Sequence, residues 1–435
     1  MAQYKEEIMK NKMKKLVALG LTGAMCVGIL SACGSQQPAQ QTETGESTPP
    51  STSTEEEAVS DVDAEASTEA EALSDAVEEA YSEAESAYTE WLTEELSKEY
   101  GEYIEESAKN YKGADLLADE YKETLLAIQP LIDAAYAESD DHLATFEIVC
   151  NGEPVDPASV EGMTTITCDA PNEKGKMDMY MFRPTDATED EVLPCIYLAH
   201  GGGYYAGTPL SEKKDCELLA NSNHVAVISY DYTLTKEAPY PAALNDAYAG
   251  LKYVYENADE LKIDKDKIIL HGESGGGGLT ACLALYAKDQ NEIPFLGEVL
   301  VYPMLDYRTG SDEDTYNNPY TGEFCVTKED LRLCWEKMFE GTEVSDADMI
   351  YASPSVAKVK QVEGLPDTFI IVGSLDAFVN EDVDYANKLT RAGVPTELFV
   401  ENGVPHAYDL LSDDTPQRER FDTLRNNFIQ KLLNK

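Results

Sequence analysis

Hydrophobic positions along the C-terminal two thirds of the chain switch repeatedly between a two-residue and a 3.6-residue period. Short apolar or β-branched runs, typical of strands, alternate with longer stretches of helical spacing. The predicted strands are 144–149, 164–167, 177–182, 194–198, 225–230, 268–271, 299–302, 368–372 and 397–400. The predicted helices among the later strands are 212–220, 242–258, 275–287, 382–392 and 417–433. This alternation predicts an α/β domain over residues 141–435, with a doubly wound, mostly parallel sheet and an antiparallel start.

Residues 68–140 have a different pattern. Apolar residues recur there at three- and four-residue steps among Glu and Ala, which predicts an acidic, amphipathic helical extension. A second apolar-periodic stretch covers 116–137 and contains Pro130, where we expect a break or kink because proline lacks the amide hydrogen.

The N-terminus has the layout of an export signal. Several lysines precede an apolar run over 16–29, which leads into Leu-Ser-Ala-Cys ending at Cys33. That ending resembles the lipobox of bacterial lipoproteins, which implies that residues 1–33 are a lipoprotein signal peptide. Cys33 would then carry lipid and anchor the protein to the outside of the bacterial cell membrane. The alternative is an ordinary signal peptide with a cysteine near its cleavage site.

Charge is concentrated near the N-terminus. The chain has a formal net charge of −50, and residues 34–140 contain 29 acidic residues against four lysines. Residues 34–67 are rich in polar residues, Pro and Glu, which predicts a disordered acidic tether. So acidic a chain repels phosphate backbones, which disfavours nucleic acid as a partner. The scattered cysteines have no zinc-ligand spacing, and we expect no metal.

A serine lies at a predicted strand-to-helix turn. The run 268–271 leads into Gly-Glu-Ser-Gly, with Ser274 at the centre of a GxSxG pattern, and a predicted helix follows. Small residues at such a turn permit the strained backbone that exposes a nucleophilic hydroxyl. A phosphate-binding loop would need a Lys-Ser/Thr pair after the glycines, which is absent. The pattern therefore predicts Ser274 as the nucleophile.

A glycine run follows the predicted strand 194–198. It begins at His200 and offers backbone N–H groups with no side chain in the way, as an oxyanion requires. We expect the oxyanion donors to be the amides of Gly201, Gly202 and Gly275.

One histidine follows Ser274 in the chain. It is His406, after the last predicted strand, and a serine nucleophile needs a histidine to accept its proton. Asp376 follows the preceding strand, 368–372, where the acid of a triad in the order Ser, Asp, His is expected. These positions predict the catalytic set Ser274, Asp376 and His406.

Taken together, these motifs over about 193–409 resemble the hormone-sensitive-lipase-like carboxylesterases. The resemblance also covers the Asp-Tyr run from Asp231 and the Tyr-Pro pair at Tyr302. It implies the α/β-hydrolase fold, no cofactor, and a helical lid built from the N-terminal helices and an insertion at about 307–352.

The resemblance implies hydrolysis of short acyl or acetyl esters of small molecules. Tyr204 and Tyr205, beside the glycine run, are the candidate substrate-pocket residues. Two alternatives stay open: an amidase, formamidase or peptidase with the same triad, and a non-catalytic surface-binding protein that keeps the fold.

Overall fold

The computed structural model describes residues 101, 105–106, 108–151 and 154–435. The predicted signal peptide with Cys33, the predicted tether and most of the predicted acidic helix lie outside these residues. Within them, no helix is long and apolar enough to cross a membrane.

Eight strands form one sheet within the described residues, in the order β1-β2-β4-β3-β5-β6-β7-β8. The strands are β1 Thr164–Asp169, β2 Lys176–Phe182, β3 Leu193–Ala199, β4 Ala226–Tyr230, β5 Ile263–Glu273, β6 Gly297–Val301, β7 Asp367–Gly373 and β8 Thr396–Glu401. Strands β1 and β2 pair in antiparallel fashion, and β3 to β8 are parallel. The predicted doubly wound sheet with an antiparallel start is confirmed.

Helices cover both faces of this sheet. They are α1 Asp119–Glu138, α2 His142–Asn151, α3 Lys213–Asn223, α4 Ala242–Glu256, α5 Ala258–Leu261, α6 Gly275–Gln290, α7 Lys328–Met338, α8 Val359–Val362, α9 Val379–Arg391 and α10 Pro416–Leu433. On one face, Tyr197 of β3 donates a hydrogen bond to a carbonyl of α4. On the other, Phe369 of β7 packs against Phe428 of α10, with ring centroids 5.4 Å apart. Apolar residues of β3 to β7 are buried between these layers, as a sheet covered on both faces requires, and those of the edge strand β8 are partly buried.

One predicted element is wrong. The segment 144–149 is part of helix α2 and not a strand, and its buried residues Leu143, Phe146 and Val149 recur every three residues along one helical face. Of the break or kink expected at Pro130, the break does not occur, because helix α1 runs continuously through it. Burial of Leu125 and Leu131 on either side of the proline offsets the roughly 3 kcal/mol that an interior proline costs.

Helix α10 places two arginines in the interior, against α3. Arg425 is 1% exposed and donates two hydrogen bonds to the carboxylate of Asp215, at 2.6 and 3.0 Å. Arg418 lies beside the same carboxylate. Burial by itself disfavours an ionised Asp215, but the charges of Arg425 and Arg418 hold its pKa well below the usual value. The two helices are therefore joined by a desolvated ion pair.

Replacing Arg425 by leucine should lower the free energy of unfolding by about 3–5 kcal/mol, because the buried carboxylate of Asp215 loses the cation that donates to both of its oxygens. Urea unfolding followed by circular dichroism measures the change. The matched control is Arg420→Leu on the same helix, whose side chain is 50% exposed and pairs with Glu401. That control should cost less than about 1 kcal/mol. Equal losses in the two variants would contradict the role given to the buried pair.

Candidate active site

Ser274 occupies a sharp turn between β5 and α6. Its backbone has φ 54° and ψ −122°, outside the regions that L-residues favour. Two glycines make the turn possible. A side chain at Gly276 would collide with the carbonyl oxygen of Ala199, and one at Gly272 would collide with the backbone of Gly276. Close backbone packing thus raises the serine above the carboxyl end of the sheet.

His406 connects Ser274 to Asp376. Its Nε2 lies 2.8 Å from Ser274 Oγ, and its Nδ1 lies 2.7 Å from Asp376 Oδ2. The second carboxylate oxygen of Asp376 accepts the amide hydrogen of Phe378 at 2.9 Å. His406 and Asp376 are 3% and 1% exposed, so water is largely excluded from their hydrogen bond. The structure thus brings all three sequence-predicted residues into a continuous hydrogen-bonded chain.

Packing and loop contacts hold the imidazole in this orientation. The rings of Tyr302 and Phe378 meet it edge-on, with centroids 4.6 and 5.1 Å away. The loops that carry His406 and Asp376 are also tied together, since the amide of Gly403 donates to Ser374 Oγ at 2.8 Å. This arrangement leaves Nε2 free to exchange a proton with Ser274 while Nδ1 stays on the carboxylate.

The glycine loop lies beside Ser274, but its amides are not used as the sequence led us to expect. The N–H of Gly201 donates to Glu212 Oε1 at 2.5 Å, so in this structure it is not available to an oxyanion. Neither Gly202 nor Gly203 donates a backbone hydrogen bond to any described residue. The amide nitrogen of Gly203 packs directly against Gly275, which opens α6. The amides of Gly202, Gly203 and Gly275 are therefore the unengaged donors nearest the nucleophile.

His200 holds the start of this loop. Its Nδ1 lies 2.8 Å from the carbonyl oxygen of Gly201, and its ring stacks on Tyr232 at 4.3 Å. The hydroxyl of Tyr232 donates to the backbone oxygen of His200. Burial lowers the pKa of His200 to about 4, so the imidazole is neutral at physiological pH. The residue organises the loop without exchanging protons with substrate.

A cavity of about 170 Å³ opens at Ser274. Helix α2, the glycine loop, the lid segment after β6 and the loop after His406 supply its walls. Its apolar lining residues are Phe146, Val149, Cys150, Leu218, Cys325, Val326, Leu331, Leu410 and Leu411. Charged residues, among them Glu212, Asp215, Asp409 and Arg418, line the remainder. Of the predicted lid, the 307–352 insertion thus contributes Cys325, Val326 and Leu331 to the walls, whereas the predicted N-terminal lid segment 116–137, most of which forms α1, supplies none of the residues that line the cavity.

The two tyrosines expected in the pocket do not line this cavity. Tyr204 is 1% exposed and packs against Trp335, with ring centroids 5.8 Å apart. Tyr205 is only partly buried. The hydroxyl of Tyr204 lies against Gly278, so this side chain packs on helix α6 and does not enter the cavity.

The sequence analysis missed the contribution of α2 to the site. Phe146, Val149 and Cys150 line the cavity, and Asn151 Oδ1 accepts the amide hydrogen of Gly207 at 2.6 Å. The signal for a helix in the sequence was the recurrence of Leu143, Phe146 and Val149 at three-residue steps. In an apolar run this short, the same residues can be mistaken for a strand.

No group of His, Cys, Asp and Glu side chains that could hold a metal ion occurs in the part of the chain that the structure describes. Six cysteines in that part, from Cys168 to Cys334, are free thiols.

Comparisons with known proteins agree with this geometry. Residues 196–410 match a family model described as alpha/beta hydrolase fold. A carboxylesterase of Mycobacterium tuberculosis is 32% identical over 218 residues, which cover 50% of this chain and 66% of the relative. An arylesterase of Saccharolobus solfataricus is 32% identical over 212 residues, covering 48% of this chain and 66% of the relative.

A solved structure gives the same picture. The esterase LipW from Mycobacterium marinum aligns with a TM-score of 0.57 and 26% identity, and the alignment covers 75% of this chain and 98% of that chain. The chain thus spans just under two thirds of the curated relatives and nearly the whole of this structural neighbour. Residues 196–410 of this protein therefore have the alpha/beta hydrolase fold.

Proposed function

We propose that the protein is a serine carboxylesterase that hydrolyses short-chain acyl or acetyl esters. The observation that carries the proposal is the hydrogen-bonded chain from Ser274 through His406 to Asp376, at the edge of a small, largely apolar cavity. The relatives named carboxylesterase and arylesterase support the reaction class.

The reaction proceeds by acyl transfer in two steps. His406 Nε2 takes the proton of Ser274 Oγ as the oxygen attacks the ester carbonyl, and the imidazolium then protonates the departing alcohol oxygen. A water molecule, deprotonated by His406, cleaves the acyl-enzyme and releases the acid and free Ser274. Asp376, held by its ionic hydrogen bond, fixes the tautomer and stabilises the imidazolium in both steps.

The oxyanion formed in each step needs hydrogen-bond donors. We assign this role to the amides of Gly202, Gly203 and Gly275, which have no other acceptor and lie beside Ser274. The amide of Gly275 also opens helix α6, so the helix dipole favours negative charge at the same place. Each such donor is worth about 2.7–4 kcal/mol to the transition state.

The cavity size supports a short acyl group. Its volume of about 170 Å³ compares with the ~150 Å³ apolar cavity that holds one benzene molecule in an engineered protein. Six or so carbon atoms therefore fill it, and Phe146 of α2 contributes to its apolar wall.

We also propose that the protein is exported and anchored by lipid at Cys33, on the outside of the cell membrane. The lipobox-like sequence before Cys33 and the acidic stretch after it support this localisation. Two acyl chains on one residue give far more stable membrane attachment than a single chain.

The first test is Ser274→Ala with p-nitrophenyl acetate as substrate. We expect kcat to fall on the order of 10⁶-fold, as it does when a triad serine is removed, because no other group can form the acyl-enzyme. Stopped-flow or steady-state release of p-nitrophenol measures it, with Ser159→Ala, at the outer turn Pro157–Ser159, as the matched control. A wild type that hydrolyses anilides but not esters would show that the reaction is amide hydrolysis. A Ser274→Ala variant as active as the wild type would refute Ser274 as the nucleophile.

Acyl-chain length tests the cavity. The value of kcat/KM should be roughly tenfold lower for p-nitrophenyl octanoate than for the butyrate, because forcing extra methylenes into a packed site costs about 1–3 kcal/mol. Replacing Phe146 by leucine should recover part of that loss. Val192→Ala, at an exposed apolar residue, serves as the control. A wild type that prefers octanoate would contradict the assignment of a short-chain substrate.

Lipidation is tested by Cys33→Ser in a bacterial host that processes lipoproteins. We expect the wild type to incorporate radiolabelled palmitate and to sediment with membranes, and the variant to do neither, because serine offers no thiol for the diacylglyceryl group. Cys26→Ser, within the apolar run of the signal, is the control. Palmitate labelling that persists in the Cys33 variant would exclude this anchor.

A further inference from the structure

Glu212 makes an unusual contact with the glycine loop. It precedes helix α3, and its Oε1 accepts the amide hydrogen of Gly201 at 2.5 Å. Its other carboxyl oxygen, Oε2, is buried and has no hydrogen-bond partner among the described residues. The carboxyl group therefore makes a single hydrogen bond, to the residue that immediately precedes the proposed oxyanion donors Gly202 and Gly203.

The rest of the loop is anchored by other groups. Asn151 accepts from the amide of Gly207 at 2.6 Å, and the backbone oxygen of Tyr204 accepts from Thr235 at 2.8 Å. These contacts fix the loop downstream of the donors. Upstream, His200 Nδ1 lies 2.8 Å from the carbonyl oxygen of Gly201, and the N–H of Gly201 is held by Glu212.

The orientation of the Gly201 peptide decides where the next amides point. A Cβ placed on Gly201 would lie 3.5 Å from Ser274 Cβ, so this part of the loop passes directly over the nucleophile. Glycines have no side chain to restrict rotation of the peptide planes, and an unanchored Gly201 could turn its own N–H toward Ser274. That rotation would move the amides of Gly202 and Gly203 away from the oxyanion.

The environment of Glu212 suits this task. Burial, together with the neighbouring carboxylates of Asp215 and Asp409, raises its pKa to about 8 against the opposing effect of the Gly201 hydrogen bond. At neutral pH the group is therefore mostly protonated. It accepts the Gly201 hydrogen without placing a full negative charge next to a developing oxyanion.

We propose that Glu212 is a positioning residue of the oxyanion site: by holding the N–H of Gly201, it turns the amides of Gly202 and Gly203 toward the ester carbonyl oxygen. This inference rests on the proposed esterase function and assigns a specific role to a cavity-lining residue outside the triad. It also explains why a carboxyl group is buried at this place.

The experiment compares Glu212→Ala, Glu212→Asp and Glu212→Gln with wild type on p-nitrophenyl butyrate. We expect kcat to fall about 10- to 100-fold in the Ala and Asp variants, because a misplacement of about 1 Å at the reacting centre costs on the order of 100-fold. KM should stay within about twofold, since the ground-state ester does not depend on these amides. Glutamine keeps an amide oxygen at the same reach, so that variant should retain kcat within about threefold.

Binding of a transition-state analogue provides a readout that a purely structural role would leave unchanged. The inhibition constant of a trifluoromethyl ketone, whose tetrahedral adduct places an oxyanion among the loop amides, should rise in the Ala and Asp variants by the same factor as kcat falls. Glu217→Ala is the matched control, because Glu217 lies on the same helix and pairs only with surface Lys213. Circular dichroism melting shows that each variant is folded.

Three outcomes would overturn the inference: an unchanged kcat in both the Ala and Asp variants, a glutamine variant as impaired as alanine, or a loss shared equally between kcat and KM. Each of these presupposes an active wild type. A wild-type protein inert on every ester would overturn the proposed function itself, and this inference with it.

Discussion

Contact between two backbones at the carboxyl end of the sheet is the constraint on which the site depends. Gly276, in the first turn of α6, lies against the carbonyl oxygen of Ala199 at the end of β3, with no room for a side chain between them. This approach places the nucleophile turn and the glycine loop side by side. Without it, the amides that face Ser274 would be separated from the hydroxyl by at least the width of a methyl group.

Parallel strand order brings the remaining groups to the same edge. Ser274 follows β5, Asp376 follows β7 and His406 follows β8, and all three strands run in one direction. Residues more than a hundred positions apart therefore meet above the sheet, where ligands bind in open α/β sheets. Loop-to-loop hydrogen bonds, such as Gly403 to Ser374, then set the distances that strand order alone leaves free.

A cluster of buried charged residues also lies at this edge. Asp215, Glu273 and Asp409 lie beneath the cavity with Arg418 and Arg425 of α10, and the acids outnumber the arginines. Burial and the surrounding carboxylates raise the pKa of Glu273, so the cluster can hold protons in place of further cations. Through this cluster the C-terminal helix α10 supports the residues beneath the cavity, although Ser274, Asp376 and His406 all lie outside that helix.

Much of this architecture follows from sequence because it depends on local periodicity and on rules of chain order. Strands β3 to β8 and the helices between them are visible as changes of hydrophobic period, and Ser274, Asp376 and His406 follow from the turn motif and the order in which strands end. Where local preference was weak or opposed by burial, as at 144–149 and Pro130, the sequence alone was misleading. Hydrophobic periodicity does not distinguish a short buried strand from a buried helix. The free-energy cost of a proline inside a helix is outweighed only when the neighbouring residues are buried in the folded protein.

The sequence by itself predicted the alternating strands and helices, the three side chains that meet at the edge of the sheet and the presence of a glycine loop. Only the tertiary structure decided that Tyr204 packs away from the cavity and that Glu212 holds the amide of Gly201. The physical reason is that contacts between different segments of the chain fix the direction of a peptide plane and the hydrogen-bond partner of a buried carboxyl group. Such contacts leave no periodic trace in the order of residues.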